Sequence, residues 1–203
     1  MQRALLVLLA VVGALALWAM RPPRAAVDTP LAPRAALAPI VTGDDLVLGP
    51  RSAAHTIVEF GDYTCPACAE VHRAVRELLA SRDDVRVIWK DLPHLDPVTQ
   101  SLRLHIAARC AARQGAFAAF HDALFERAPR TDGAIASIAT DLRLNTTAFD
   151  ACRSDPSITA AIRANEREAM RIGVAGTPEF YVNGVRYEQP FSLSDLQRAL
   201  DAP

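Results

Sequence analysis

Two apolar, β-branched segments flank a single amphipathic helix, and that order constrains the fold more than any other feature of the chain. Thr56 to Phe60, "TIVEF", reads as a buried strand. "TCPACAEVHRAVRELLASR" follows as a helix. Pro66 suits its first turn, and Val71, Val75, Leu78 and Leu79 form its apolar stripe. Val85 to Trp89 is a second strong strand. Strand, helix, strand over residues 56–90 is by default a right-handed parallel unit. Leu46 to Leu48 adds a short candidate edge strand where the folded part begins.

The period then changes. Residues 97–172 carry no convincing strand, and helical spacing runs through "VTQSLRLHIAARCAARQ", "AFAAFHDALFERA", "GAIASIATDLR", "TTAFDACRS" and "SITAAIRANEREAMRIG". Breaks are expected at Gly115, Pro129, Gly133, Asn145 and Pro156. "EFYVNGVRY" reads as an Asn-Gly hairpin between two short strands. A last helix is expected from Ser192 to Ala202, with Ser192 and Asp195 as a capping pair. The chain is therefore α/β, ordered βαβ, helical insertion at about 97–172, then ββα.

Two segments precede that domain. Ala4 to Met20, "ALLVLLAVVGALALWAM", is free of charge and lies between the length of a signal-peptide core and that of a short membrane span. Residues 1–20 are expected to be a signal anchor or a cleaved signal peptide. A buried core helix is the plainer alternative. Residues 21–45, "RPPRAAVDTPLAPRAALAPIVTGDD", are rich in proline and alanine and read as an extended linker. Its reach would be on the order of 70 Å. The net charge is −1 with no basic stripe, so nucleic acid is not an expected partner.

The chemistry concentrates in two places. Cys65-Pro66-Ala67-Cys68 comes directly after a strand and opens a helix. A helix start exposes unpaired N–H groups and the positive end of the macrodipole, which favour a thiolate, the reactive form of cysteine. A zinc site would need four ligands, commonly from paired clusters. Cys110 and Cys152 are not a second such pair. His72 can face Cys68 one turn away; His55, His94, His105 and His121 have no ligand spacing, and the last two read as ordinary helix histidines. The second place is "GVAGTPEFYVNG", where Thr177-Pro178 precedes a strand. An X-Pro bond there can be cis, though taken alone it is an ordinary loop proline. Phe117, Phe120 and Phe125 read as helix core, and the Asn145-Thr146-Thr147 sequon carries little on its own.

"EFGDYTCPAC", "AARCAARQGAFAAFHDALF" and "GVAGTPEFYVNG", taken in order, resemble the DsbA-like family of thioredoxin-fold thiol–disulfide oxidoreductases. The resemblance runs from about Leu46 to Ala202. It implies a thioredoxin fold with a helical domain in the crossover, Cys65 as the exposed nucleophile and Cys68 as its shielded partner. It also implies a cis-Pro178 beside the active disulfide, with Thr177 pairing to a substrate strand by β-augmentation. Glu59 falls where the family has a buried acid that moves protons to and from the second cysteine. A solvated strand-end glutamate is the plainer alternative for Glu59. Asp62 is the fallback acid, though a turn residue by its setting. One departure is the Pro66-Ala67 dipeptide, where the family's strongest oxidant has a histidine before the second cysteine. Without that imidazole, the disulfide is expected to be less oxidising. With Cys65 and Cys68 paired by the resemblance, Cys110 and Cys152 remain for each other as a structural disulfide. Closing that loop would contribute ~4 kcal/mol on the chain-entropy model. Two reduced, buried thiols are the alternative.

The resulting expectation is an exported protein disulfide oxidase, periplasmic, and either tethered to the inner membrane through residues 1–20 or soluble after cleavage. Its expected partners are cysteine-containing exported proteins and a membrane redox partner that resets the disulfide. It is expected to be a monomer and to need no metal or organic cofactor. The rivals are a reductase or isomerase of the same fold, and a module holding a soft metal such as Cu(I).

Overall fold

The computed structural model describes residues 37–94, 100–127, 131–188 and 192–201. The segment 1–20 and most of the linker therefore lie outside the described residues, as does Pro129. Among the described residues, no helix is long and apolar enough to cross a membrane.

A five-stranded mixed sheet organises the domain. β1 is Leu46–Leu48, β2 His55–Gly61, β3 Val85–Asp91, β4 Glu179–Val182 and β5 Val185–Arg186. They lie in the order β1-β3-β2-β4-β5. The pair β2–β3 is parallel, with Ile57 opposite Val87 and Glu59 opposite Trp89. α1, Pro66–Ser81, supplies the crossover between them. β1 closes one edge antiparallel to β3, and β4 runs antiparallel to β2 with Phe180 opposite Glu59. β2 is the central strand, which is why its sequence is a nearly continuous apolar run and not an alternating one.

Side chains alternate across β2 and serve two cores. Val58 and Phe60 pack with Ile88, Ala169, Ile172 and Tyr181 on the face covered by α6, Pro156–Ile172. Ile57 packs with Val87, Trp89, Val75 and Leu78 on the face covered by α1, where Leu196 and Leu200 of α7 (Leu193–Leu200) also enter. Glu59 shares the parity of Ile57 and so points towards the α1 face. Gly61, the last residue of the strand, has no room for a side chain because Trp89 fills the space: a Cβ there would sit 2.2 Å from the indole.

Among the described residues between β3 and β4 stand five helices: α2 Gln100–Ala112, α3 Phe117–Glu126, α4 Asp132–Asp141, α5 Thr146–Arg153 and α6. Local chemistry sets their ends. Thr131, Asn145 and Asp155 cap the last three through their side-chain oxygens. Gly173, at φ 78°, ends α6 in the left-handed conformation, and the Val174 amide donates to the Ala169 carbonyl. The break expected at Gly133 falls instead at Thr131; Gly133 lies in the first turn of α4, which the Thr131 hydroxyl starts by accepting from the Ala134 amide. Asn183 and Gly184 both take positive φ, as a two-residue hairpin requires. The α7 N-terminus is closed reciprocally, Ser192 Oγ accepting from the Asp195 amide and donating to its carboxylate.

Residues 40–45, the end of the proline-rich stretch, are fastened to the sheet. Lys90, the chain's one lysine, is buried and donates to Asp45 Oδ1 at 2.7 Å and to the Ile40 carbonyl at 2.8 Å, with Glu168 at 3.2 Å.

Candidate active site

At the carboxyl end of β2 the chain turns through Asp62, Tyr63 and Thr64 into α1. Cys65 is the N-cap of α1, and Pro66 occupies the first turn. The Cys65 sulfur is half-buried and accepts from the Cys68 amide at 3.4 Å. Cys68, one turn in, is fully buried. Both are free thiols here. The loop before β4 closes over them. Its Thr177–Pro178 peptide is cis, and the Cys65 thiol donates to the Thr177 carbonyl at 3.3 Å. Residues 112 positions apart in the chain thus meet at one sulfur.

The two thiols are electrically unlike. Partial burial of Cys65 acts to raise its pKa. Hydrogen bonding from the Thr177 side chain and the amides of Cys68 and Ala67 outweighs that and holds it below the ordinary thiol value. Cys68 is pushed far up, by burial first and by the neighbouring Glu59 carboxylate second. Glu59 is buried on the same face; burial, then the charge on Cys65, raise its pKa to about 8. The carboxyl therefore holds its proton well above the ordinary carboxylate range. A reachable thiol with a lowered pKa, a buried thiol with a raised pKa and a buried acid beside them are the parts that thiol–disulfide exchange needs.

Asp62 has a different setting. It is buried and strongly hydrogen-bonded: Oδ1 accepts from the Thr64 amide at 2.8 Å and Ser101 Oγ at 2.7 Å, and Oδ2 from the His94 amide at 2.9 Å. Burial opposes its charge, but these bonds and His105 keep its pKa far below the carboxylate range, so it is ionised and a poor proton carrier. His105 Nδ1 meets Asp91 Oδ1 at 2.6 Å, and Arg109 donates to the other oxygen of Asp91. Reading His105 as an ordinary helix histidine missed this network. Its signal was present in the polar stripe Ser101, His105, Arg109, spaced four apart on one face of α2. The partners Asp62 and Asp91 come from other elements, so spacing alone does not reveal them.

His72 turns towards α3, stacking on Phe125 at 4.6 Å between ring centroids and facing Asp122 at 3.4 Å. Phe117 and Phe120 are core, and Phe125 packs at its margin. Cys110 and Cys152 form a disulfide between α2 and α5 with Cα atoms 5.8 Å apart. At Thr177 a groove is lined by Leu92, Pro93, His94, Met170 and Val174 among others.

Residues 41–202 match the family model described as thioredoxin. A thioredoxin-like oxidoreductase from Silicibacter pomeroyi is 30% identical with a TM-score of 0.72, the match covering 79% of this chain and 92% of that one. The thiol-disulfide exchange protein α-DsbA2 from Wolbachia pipientis shares the fold, at 20% identity and a TM-score of 0.70 over 77% of this chain and 86% of that one. The Na(+)/H(+) antiporter NhaA 3 of Salinispora tropica is 34% identical over 165 residues, 81% of this chain but 25% of that protein. The chain thus spans about a quarter of the length of the first curated relatives it matches. A putative protein-disulfide oxidoreductase of Rickettsia bellii is 28% identical over 166 residues, 78% of this chain and 64% of its own length.

Proposed function

We propose, for a chain that belongs to the thioredoxin family, that Cys65 and Cys68 form a redox pair which oxidises the thiols of exported proteins. The observation that carries this reading is the division of labour between the two sulfurs, one half-buried with a lowered pKa and one buried with a raised pKa near the buried Glu59.

The steps follow from that asymmetry. A substrate thiolate attacks Cys65 Sγ of the Cys65–Cys68 disulfide, forming a mixed disulfide as the Cys65–Cys68 bond breaks. Cys68 is a poor thiolate in its buried setting, so it leaves by taking the Glu59 proton. A second thiolate of the substrate attacks the substrate sulfur of the mixed disulfide. Cys65 departs as the thiolate that its hydrogen bonds favour. Two electrons pass from the substrate dithiol to the enzyme, which is left with both cysteines reduced. Thr177, already at the Cys65 sulfur, and Pro178 would present backbone to an extended substrate strand. A membrane partner would re-oxidise the pair. Export is supported by the apolar segment 1–20, which would also supply the tether if it is not cleaved. The protein would act as a monomer.

The direction of electron flow follows from which form is stabilised. Favouring the Cys65 thiolate stabilises the reduced enzyme and makes the disulfide an oxidant. The same chemistry in reverse, a reductase, is the second reading, favoured by Pro66-Ala67 in place of a histidine-bearing dipeptide. Oxidation of a reduced, unfolded substrate under a glutathione buffer, with Cys65→Ser as control, tests the proposal. Catalysed oxidation that disappears in Cys65→Ser supports it. Insulin reduction without catalysed oxidation assigns the reverse direction.

A further inference from the structure

We propose that Asp62 is a positioning residue for the Cys65 sulfur and that α2 holds it in place, so that the helical block sets the reactivity of a thiol carried on α1.

The geometry begins with a tight turn. The Asp62 carbonyl accepts from the Cys65 amide at 3.1 Å, and its carboxylate accepts from the Thr64 amide and hydroxyl. A side chain that accepts from the amide two residues on shapes the chain as a turn does. Here the turn delivers Cys65 to the N-cap of α1. The same carboxylate reaches outside the turn, to Ser101 Oγ on α2 and to the His94 amide in the segment after β3. His105 Nε2 lies 3.6 Å from it, and the far side of that imidazole is fixed on Asp91. One buried carboxylate therefore ties three segments together at the residue where the active turn begins.

Position matters because the bonds that favour the Cys65 thiolate are long and directional. The Cys68 amide reaches the sulfur at 3.4 Å, and such a bond weakens as its angle closes, so a displacement of the turn weakens it. The groups that face Cys65 are Glu59 from β2, Cys68 from α1 and Thr177 from the loop before β4. None of them is carried by α2. Ser101 is uncharged, so a change there that alters the Cys65 titration acts through its bond to Asp62 and the turn. This explains why a carboxylate is buried so near a redox centre while remaining ionised: its task is to hold, not to carry protons.

The proposal rests on Cys65 as the attacking thiol. That reading fails on its own terms if alkylating Cys65 leaves thiol–disulfide exchange intact. The positioning role is tested in the reduced full chain by following Cys65 alkylation with iodoacetamide against pH, alongside thermal unfolding. Asp62→Ala is expected to move the half-plateau pH up by about one unit, a tenfold loss of thiolate at a fixed lower pH. Asp62→Asn, which keeps an acceptor for the Thr64 amide, should fall between that variant and the parent. Ser101→Ala should move it least, in the same direction. An unchanged alkylation profile in folded Asp62→Asn and Ser101→Ala, whatever their melting temperatures, would overturn the proposal. Those two decide it if Asp62→Ala does not fold.

Discussion

Two cysteine pairs in this chain share their atoms and little else. Cys110 and Cys152 lie 42 positions apart on two helices of the insertion, inside an apolar cluster with Phe120 and Phe149, and are bonded. Cys65 and Cys68 lie at a helix mouth, three positions apart, and are free. Among the described residues, the one hydrogen bond to a sulfur of the first pair is a long one, from the Arg113 guanidinium to Cys152 Sγ at 3.9 Å. The second has backbone amides on one sulfur, a protonated carboxyl by the other and a cis-proline loop across the opening. Reactivity here is a property of the surroundings: the insertion pair sits in an apolar cluster as a staple, and the pair at the helix mouth has beside it the amides and the carboxyl that let it exchange.

Substitutions can break that contrast, starting with the largest effect. Cys65→Ser is expected to reduce turnover to the uncatalysed rate while leaving the melting curve of the reduced protein nearly unchanged. Equal losses of turnover from Cys65→Ser and Cys110→Ser would mean the two pairs are not divided as described. Next comes Glu59→Gln, which keeps the shape and removes the proton; exchange should slow by about 10²-fold, the usual scale for a general acid. The same variant has a thermodynamic signature. The Glu59 pKa is raised from 4.5 to about 8, so the folded state binds a proton that the unfolded state releases in that window. Its contribution to stability is full below pH 4.5 and is lost as pH rises towards 8, by at most about 1.4 kcal/mol per pH unit. Denaturant titrations from pH 5 to 8 should show this slope in the parent and a flatter profile in Glu59→Gln.

Cys110→Ser addresses the other pair. It should lower stability by about 3 kcal/mol and leave most of the activity, read from the shift in denaturation midpoint beside a turnover assay. The smallest change sharpens the contrast. Ala67→His places an imidazole before Cys68, and the Cys65 thiol should titrate lower and the disulfide become more oxidising, by about 30 mV for each 1.4 kcal/mol of thiolate stabilisation.

Much of this is legible in the amino-acid sequence. β2, α1 and β3 declare themselves because apolar residues run nearly unbroken through the middle of each strand and recur at helical spacing in α1. The Asn183-Gly184 hairpin is legible because few dipeptides accept two positive φ values. Cys65 at a strand-to-helix junction is local information, and so is the Ser192 cap. What sequence does not carry is the company of a residue across the fold. The burial of Glu59 follows from the sheet face it occupies, which depends on which helix covers that face. The Asp62–His105–Asp91 network draws on the turn after β2, on α2 and on β3, and no spacing links them. The Gly133 boundary missed because a threonine cap two residues earlier can start a helix through a glycine.

The central claim is that the environment of Cys65 and Cys68 makes their disulfide an oxidant despite the Pro66-Ala67 dipeptide. Equilibration of the pair with glutathione buffers, read by the separation of alkylated forms, tests it most directly. The account predicts a potential above about −200 mV, on the oxidising side of the glutaredoxin range. A value near about −270 mV, that of thioredoxin, would contradict it and make the pair a reductant.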